Sequence, residues 1–135
     1  MMERDMNICI VEDSTLTVLL LKKTLAIFNK DIKLVSFTDA MNALKWFEKD
    51  YLKQKPEFLL IDINMPLMNG WEFIDNLHRT HPNFKIPIYM LSASCDPADR
   101  EKAAAYPLVK GFIAKPIRIE TINALLLAET TISRN

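Results

Sequence analysis

The sequence predicts a single α/β domain in which helices cover both faces of a five-stranded parallel sheet. Short, continuous apolar runs of strand length alternate along the chain with longer segments of helical periodicity. Continuous apolar runs are typical of parallel strands, because helices bury both of their faces. The 135 residues suffice for one well-packed core but not for two, and we find no internal repeat or linker.

Five apolar runs are predicted as strands. Several of them stop abruptly at a polar residue, as buried strands do where the chain leaves the sheet. The runs are Ile8–Val11, Lys33–Phe37, Phe58–Ile61, Ile86–Leu91 and Gly111–Ile113. Because parallel strands need crossover connections, a helix is expected after each run.

Capping residues and apolar periodicity predict the helices. Ser14 or Asp13 can cap a first helix over about residues 15–28, and Asp96-Pro97 is a cap followed by a favourable first position. Apolar residues at helical spacing predict the faces that pack on the sheet. These are Val18, Leu21, Leu25 and Phe28, then Ala40, Leu44, Phe47 and Tyr51, then Phe73, Ile74 and Leu77, and finally Ile119, Ile122 and Leu126.

Two features stand apart from this regular pattern. Gly70 and Gly111 are the chain's two glycines, so we expect special backbone demands at both positions. Leu16, Leu19 and Leu20 lie largely off the apolar stripe of the first helix. Either a fully covered helix buries them, or they form an exposed docking surface.

Composition excludes several classes of protein. Seventeen basic residues balance seventeen acidic ones, so the basic surface that nucleic-acid binding usually needs is not indicated. The apolar runs are far shorter than a membrane span, and Met1–Asp5 does not resemble a signal peptide. Cys9 and Cys95 lie far apart, and Cys9 in an apolar run predicts a buried thiol in a reducing compartment. We therefore expect a cytoplasmic protein with no nucleic-acid or membrane partner.

Polar residues collect where the predicted strands end. Glu12-Asp13 follow the first strand, Asp62 the third, Ser92 the fourth and Lys115 the fifth. Ligands of open parallel sheets bind at this edge. Clustered carboxylates repel one another without a cation, and carboxylate oxygens are ligands that Mg²⁺ prefers. A hydroxyl and an ammonium beside them are suited to holding a phosphoryl group.

Each of these residues also has an ordinary structural explanation. Asp13 alone would be a helix cap, Ser92 a turn residue and Lys115 a solvated surface charge. Their joint occurrence at one edge of the sheet is what favours a magnesium and phosphate site, and on spacing alone both explanations stay open.

Four motifs resemble the receiver domains of two-component response regulators. They are Val11-Glu12-Asp13-Ser14, Leu59–Gly70, Leu91-Ser92-Ala93 and Lys115-Pro116, in the order of that family, and the Asp-x-x-Met-Pro-x-Met-Asn-Gly stretch is highly specific. The resemblance spans about residues 7–127 and implies one receiver domain over residues 1–135, with short terminal extensions. It also implies a flavodoxin-like, doubly wound sheet with strand order 2-1-3-4-5 and five helices.

The resemblance implies a phosphoacceptor and a metal site. Asp62 would accept a phosphoryl group from a sensor histidine kinase or a phosphotransfer protein. Asp13, Asp62 and the backbone carbonyl of Asn64 would hold Mg²⁺ directly, and Glu12 would act through a metal-bound water or as an outer ligand. The domain would phosphorylate and dephosphorylate itself rather than turn over a substrate.

It also implies a switch. Lys115 would pair with the phosphate, and a cis peptide is expected between Lys115 and Pro116. The Ser92 hydroxyl would move to bond a phosphate oxygen while the Phe112 ring turns inward. This would change a protein-binding surface that an unknown downstream partner recognises, in a monomer or a phosphorylation-dependent homodimer.

Three positions depart from the family's usual pattern. Phe112 stands where tyrosine is commoner, so a switch that needs a tyrosine hydroxyl is in doubt. The segment 106–110 replaces a short Gly-Ala connection before the fifth strand. Asn64 and Ser94 occupy variable positions that influence the lifetime of the phosphate.

About eight residues, 128–135, follow the last predicted helix, so we expect a stand-alone response regulator whose output is a protein contact. The face formed by Leu16, Leu19 and Leu20 is the candidate docking surface for a kinase or phosphotransfer helix.

The same residues bear on three alternative functions. A haloacid-dehalogenase-type phosphatase would need an acid at position 64, where Asn64 is a poor general acid. A flavin-binding module would need a phosphate-cradling loop where Glu12-Asp13 stand. A pseudo-receiver that binds partners without phosphorylation stays open, although the intact set of Asp13, Asp62 and Lys115 argues against it.

Overall fold

The computed structural model describes residues 6–28, 31–94 and 96–134, and for residues 130–134 the backbone alone. Its strands are β1 (Met6–Val11), β2 (Ile32–Phe37), β3 (Phe58–Asp62), β4 (Ile88–Ser92) and β5 (Val109–Ala114). Its α-helices are α1 (Thr15–Leu25), α2 (Ala40–Lys49), α3 (Gly70–Thr80), α4 (Pro97–Lys102) and α5 (Ile119–Arg134). Short 3₁₀ turns follow α2 and α4, at Tyr51–Gln54 and Ala103–Ala105. Met1–Asp5 and Cys95 lie outside the described residues.

The strands form one parallel sheet in the order β2-β1-β3-β4-β5, which confirms the predicted doubly wound topology. Alternate residues of β1 serve opposite faces: Ile8 and Ile10 pack with α1 and α5, whereas Cys9 and Val11 pack with α2 and α3. Every residue of β3 is buried. This two-sided burial explains why the sequence shows continuous apolar runs rather than alternation.

The predicted helix caps are confirmed. The Ser14 hydroxyl accepts a hydrogen bond from the Thr17 N–H, and the Asp96 carboxylate accepts one from the Ala98 N–H. In α1 the predicted core residues Val18, Leu21 and Leu25 are buried. The described helices include none that is long and apolar enough to cross a membrane.

Several predicted boundaries are wrong. Strand β1 begins at Met6 rather than Ile8, and α5 runs to Arg134, so residues 128–134 belong to the helix rather than follow it. Helix α1 ends at Leu25 rather than near residue 28. Strand β4 begins at Ile88 rather than Ile86, because Pro87 has no N–H to donate to a neighbouring strand. Strand β5 begins at Val109 rather than Gly111, because its first residues pair with β4 across a register shift next to Ile88.

The prediction of special backbone demands is confirmed at Gly70 and wrong at Gly111. A Cβ on Gly70 would lie 2.6 Å from the Asp62 carbonyl oxygen and 2.9 Å from Met90 Cε, so α3 can begin this close to β3 with glycine alone. A Cβ on Gly111 would make ordinary contact with the Tyr89 ring at 3.7 Å. In the loop before α3, it is Leu67 that has a left-handed backbone conformation, with a φ of 70°.

Candidate functional site

The carboxyl ends of β1 and β3 bring three carboxylates together. These strands are adjacent, with Val11 opposite Ile61, so Glu12 and Asp62 leave the sheet side by side. Glu12 and Asp62 are buried, with 0% and 2% exposure, whereas Asp13 is exposed. One oxygen from each of the three carboxylates lies within 4.8 Å of the others. The acidic cluster predicted from the sequence is therefore present.

Lys115 joins this cluster from the end of β5. Its Nζ lies 2.8 Å from Glu12 Oε1 and 3.2 Å from Asp62 Oδ2, although β5 is two strands away from β3. The Lys115 N–H donates to the Ser92 carbonyl oxygen, which ties the lysine to the end of β4. The peptide between Lys115 and Pro116 is cis, as predicted. Lys115 is thus a half-buried ion-pair partner of two buried carboxylates, not the solvated surface charge that it would be on its own.

Backbone N–H groups orient the two buried carboxylates. The Ser14 N–H donates to Glu12 Oε2 at 3.0 Å, and the Asn64 N–H donates to Asp62 Oδ1 at 3.2 Å. Each carboxylate therefore uses one oxygen to bind the loop that follows its strand and presents the other to Lys115. The local turns after β1 and β3 hold the site in shape.

The electrostatics of the cluster favour a cation. Burial, together with hydrogen bonding and repulsion from Glu12, raises the pKa of Asp62 to about 7, and Lys115 only partly offsets this effect. The two carboxylates raise the pKa of Lys115 more than its burial lowers it. With all groups ionised, three negative charges face one positive charge. Oxygen donors with excess negative charge suit a hard divalent ion such as Mg²⁺.

Ser92 is the last residue of β4, the strand beside β3. It is buried at the end of β4, where its hydroxyl donates to the Ser94 carbonyl oxygen and accepts from the Ser94 N–H. The hydroxyl is therefore engaged by the loop that leads from β4 to α4. Asn64 is exposed, and its backbone lies beside Asp62.

Phe112 lies apart from the carboxylates. It is half-buried on β5, opposite Met90, and packs on the core between the sheet and α3. The Arg100 guanidinium carbon lies 5.5 Å from the centre of its ring, and the Trp71 ring lies 6.4 Å away. The sequence pattern does not reveal Trp71 and Arg100 as neighbours of Phe112, because contacts between distant segments leave no local signal.

The leucines that lie off the core stripe of α1 are exposed. Leu16, Leu19 and Leu20 have 62%, 50% and 47% exposure. The explanation that a fully covered helix buries them is therefore wrong, and α1 presents an apolar outer face.

Comparison with known proteins agrees with this geometry. The family model of the response regulator receiver domain matches residues 8–127. The cyclic di-GMP phosphodiesterase response regulator RpfG of Xanthomonas campestris is 30% identical over 119 residues, which make up 88% of this chain and 30% of that protein. The chain thus spans less than a third of the length of this relative.

Solved structures share the fold. A two-component response regulator from Cytophaga hutchinsonii is 28% identical, with a TM-score of 0.81 over 95% of this chain and 99% of that one. The receiver domain of a sensor histidine kinase from Pseudomonas aeruginosa, which has a magnesium ion coordinated in its active site cleft, is 19% identical, with a TM-score of 0.74 over 93% and 97% of the two chains. From the family model, the strand order and the acidic cluster together, we conclude that this chain belongs to the response regulator receiver domain family.

Proposed function

We propose that this chain is a phosphoacceptor that takes a phosphoryl group onto Asp62 from a histidine kinase or a phosphotransfer protein. The observation that carries this proposal is the buried Asp62 carboxylate, held 3.2 Å from Lys115 Nζ inside a cluster of three carboxylates. Family membership supports it, because receiver domains generally receive phosphate from such donors. A single domain over residues 1–135 stays a prediction from the sequence. The same is true of a stand-alone, cytoplasmic protein.

The residues present fit a magnesium ion. Glu12, Asp13 and Asp62 provide carboxylate oxygens within 4.8 Å of one another, and the Asn64 backbone, next to Asp62, is proposed to add its carbonyl oxygen. When bound, Mg²⁺ would neutralise charge on the phosphoryl oxygens.

The proposed chemistry is the transfer of a phosphoryl group from a histidine nitrogen of the donor to a carboxylate oxygen of Asp62. An ionised Asp62 oxygen forms a bond to phosphorus while the bond from phosphorus to the donor's histidine nitrogen breaks, and the nitrogen keeps the electron pair. Lys115 is close enough to Asp62 to offset charge on the phosphoryl group. The Ser92 hydroxyl would leave the Ser94 carbonyl and donate to a phosphoryl oxygen, and Phe112 would turn inward with it.

The proposal is tested by the intact mass of the protein after incubation with acetyl phosphate, a small phosphodonor. We expect a gain of one phosphoryl group with Mg²⁺ and none with EDTA, and peptide mapping should place the group on Asp62. A modification at another residue would contradict the proposal. A folded protein that binds Mg²⁺ but gains no mass from acetyl phosphate or from a phosphorylated kinase would favour the phosphorylation-independent pseudo-receiver.

Magnesium affinity should depend on pH, because a proton and the cation compete for Asp62. With its pKa raised to about 7, Asp62 is mostly protonated at pH 6 and mostly ionised at pH 8. We therefore expect Mg²⁺ to bind about tenfold more weakly at pH 6 than at pH 8. Isothermal titration calorimetry at the two pH values would measure this difference. Equal affinities would show that Asp62 is already ionised at pH 6.

The exposed leucine face of α1 is the proposed contact for the phosphodonor. Helix α1 begins two residues after Asp13, so its first turn lies next to the acidic cluster in the chain. We expect Leu19→Asp to slow transfer from a phosphorylated histidine kinase about tenfold and to leave the rate with acetyl phosphate unchanged, because the small donor needs no docking surface. Leu52→Asp is the matched control, since Leu52 is 73% exposed on the 3₁₀ turn after α2. An unchanged kinase rate in folded Leu19→Asp would contradict the docking role.

A further inference from the structure

Helix α4 is short and has no buried residue. It spans six residues, Pro97–Lys102. It follows the loop that engages the Ser92 hydroxyl and precedes the 3₁₀ turn at Ala103–Ala105. A short helix without a buried face is held by individual side-chain contacts rather than by the core, so removing one contact changes its stability locally.

Two side chains of α3 supply contacts at both ends of this segment. Trp71 is buried, with 3% exposure, and its indole N–H donates to Asp99 Oδ1 at 3.0 Å. The Tyr106 hydroxyl donates to Asp75 Oδ1 at 2.9 Å, and its ring packs on Trp71 with 4.9 Å between the ring centres. Lys102 Nζ lies 5.8 Å from the Trp71 ring centre. Trp71 therefore contacts Asp99 within α4, Lys102 at the end of α4 and Tyr106 after it.

The same tryptophan adjoins Phe112. The centres of the Phe112 and Trp71 rings lie 6.4 Å apart. The guanidinium carbon of Arg100, on α4, lies 5.5 Å from the centre of the Phe112 ring. Movement of this ring therefore disturbs contacts with α3 on one side and with α4 on the other. Asp99 and Arg100 are consecutive residues of α4, so Trp71 and Phe112 both contact the same turn of this helix.

We propose that Trp71 and Asp99 form a latch that holds α4 on α3 and restrains the rearrangement of Ser92 and Phe112. Both are positioning residues, since neither touches the acidic cluster. The indole N–H belongs to a buried side chain, so losing its acceptor should raise about tenfold the population of a state in which α4 has moved away from α3. This inference rests on the proposed function for its effect on phosphorylation, but the latch itself can be measured without phosphate.

The first test is hydrogen–deuterium exchange of the unphosphorylated protein over residues 98–105. We expect about tenfold faster exchange in Asp99→Ala and near-wild-type exchange in Asp99→Asn, because the asparagine oxygen still accepts from the indole while the charge is lost in both variants. Trp71→Phe should match Asp99→Ala, and the double variant should be no faster than either. Unchanged exchange in Asp99→Ala, or equal acceleration in Asp99→Asn, would overturn the latch.

The second test is the phosphorylation rate with acetyl phosphate and Mg²⁺. Asp99→Ala should react several-fold faster than the wild type, and Asp99→Asn should react at the wild-type rate. Faster exchange without a faster reaction would overturn the link from the latch to the switch. If neither the wild type nor any variant gains a phosphoryl group from acetyl phosphate or from a phosphorylated kinase, the proposed function fails, and the exchange measurement still decides whether the latch exists.

Discussion

Asp62→Asn is expected to lose Mg²⁺-dependent phosphorylation by acetyl phosphate, with a rate at least about 100-fold below that of the wild type. The amide cannot act as the nucleophile, and it removes one of the three carboxylates that fit the metal. The substitution preserves the shape of a side chain that is 2% exposed, so the fold should persist. Intact-mass time courses measure the rate directly.

The same variant should be more stable than the wild type in the absence of Mg²⁺. The folded protein raises the pKa of Asp62 to about 7, so it binds the Asp62 proton more tightly than the unfolded chain does. The resulting stability is present below the unfolded pKa and is lost as the pH rises through about 7. Asparagine does not titrate, and we therefore expect a higher Tm for Asp62→Asn at pH 8, by about 5 °C, and a smaller difference at pH 5.

A matched control separates the site from general effects of the substitution. Asp39→Asn changes another aspartate, which caps α2 by accepting from the Asn42 N–H, and asparagine caps helices equally well. This control should phosphorylate at the wild-type rate. Phosphorylation of Asp62→Asn on another acid of the cluster would show that Asp62 is not the sole acceptor.

Lys115→Met is expected to slow phosphorylation by acetyl phosphate about 100-fold at pH 7, by two effects that act together. The ammonium that would offset phosphoryl charge is lost. Its loss also leaves Glu12 and Asp62 without the cation that lies 2.8 Å and 3.2 Å from them. Because Lys115 lowers the pKa of Asp62, that pKa should rise further above 7, which leaves less of the ionised nucleophile.

The pH profile distinguishes these two effects. If the pKa contributes, the rate of Lys115→Met should continue to rise at pH values where the wild-type rate has levelled off. Lys110→Met is the matched control, since Lys110 is an exposed lysine on β5, the strand that precedes Lys115, and should react at the wild-type rate. A rate for Lys115→Met within threefold of the wild type would contradict the role of Lys115.

Much of the fold and of the site could be predicted because the responsible signals are local. Apolar runs such as Phe58–Ile61 predict buried strands, since helices on both faces leave no solvent side. Asp62 directly follows this run and marks the edge of the sheet, where it lies beside Glu12. Parallel strands place all their carboxyl ends at that edge, so the cluster follows from the order of strands and helices.

Other features depend on tertiary contacts alone. Glu12 and Asp13 are consecutive acids, and only the packed structure buries the first and exposes the second. Lys115 pairs with both buried carboxylates because its backbone N–H donates to the Ser92 carbonyl oxygen, which holds it at the end of β4. The exposure of Leu19 also depends on which helices pack beside α1, which apolar periodicity does not reveal.

The sequence by itself determined the class of fold, the strand order through a family resemblance, and the residues of the acidic cluster. The tertiary structure decided which carboxylate is buried, where Lys115 reaches, and that Trp71 bonds to Asp99, 28 residues further along the chain. The physical reason is one of range. Periodicity and capping act within a few residues and leave a pattern in the chain, whereas a contact between two helices depends on how both pack on the sheet.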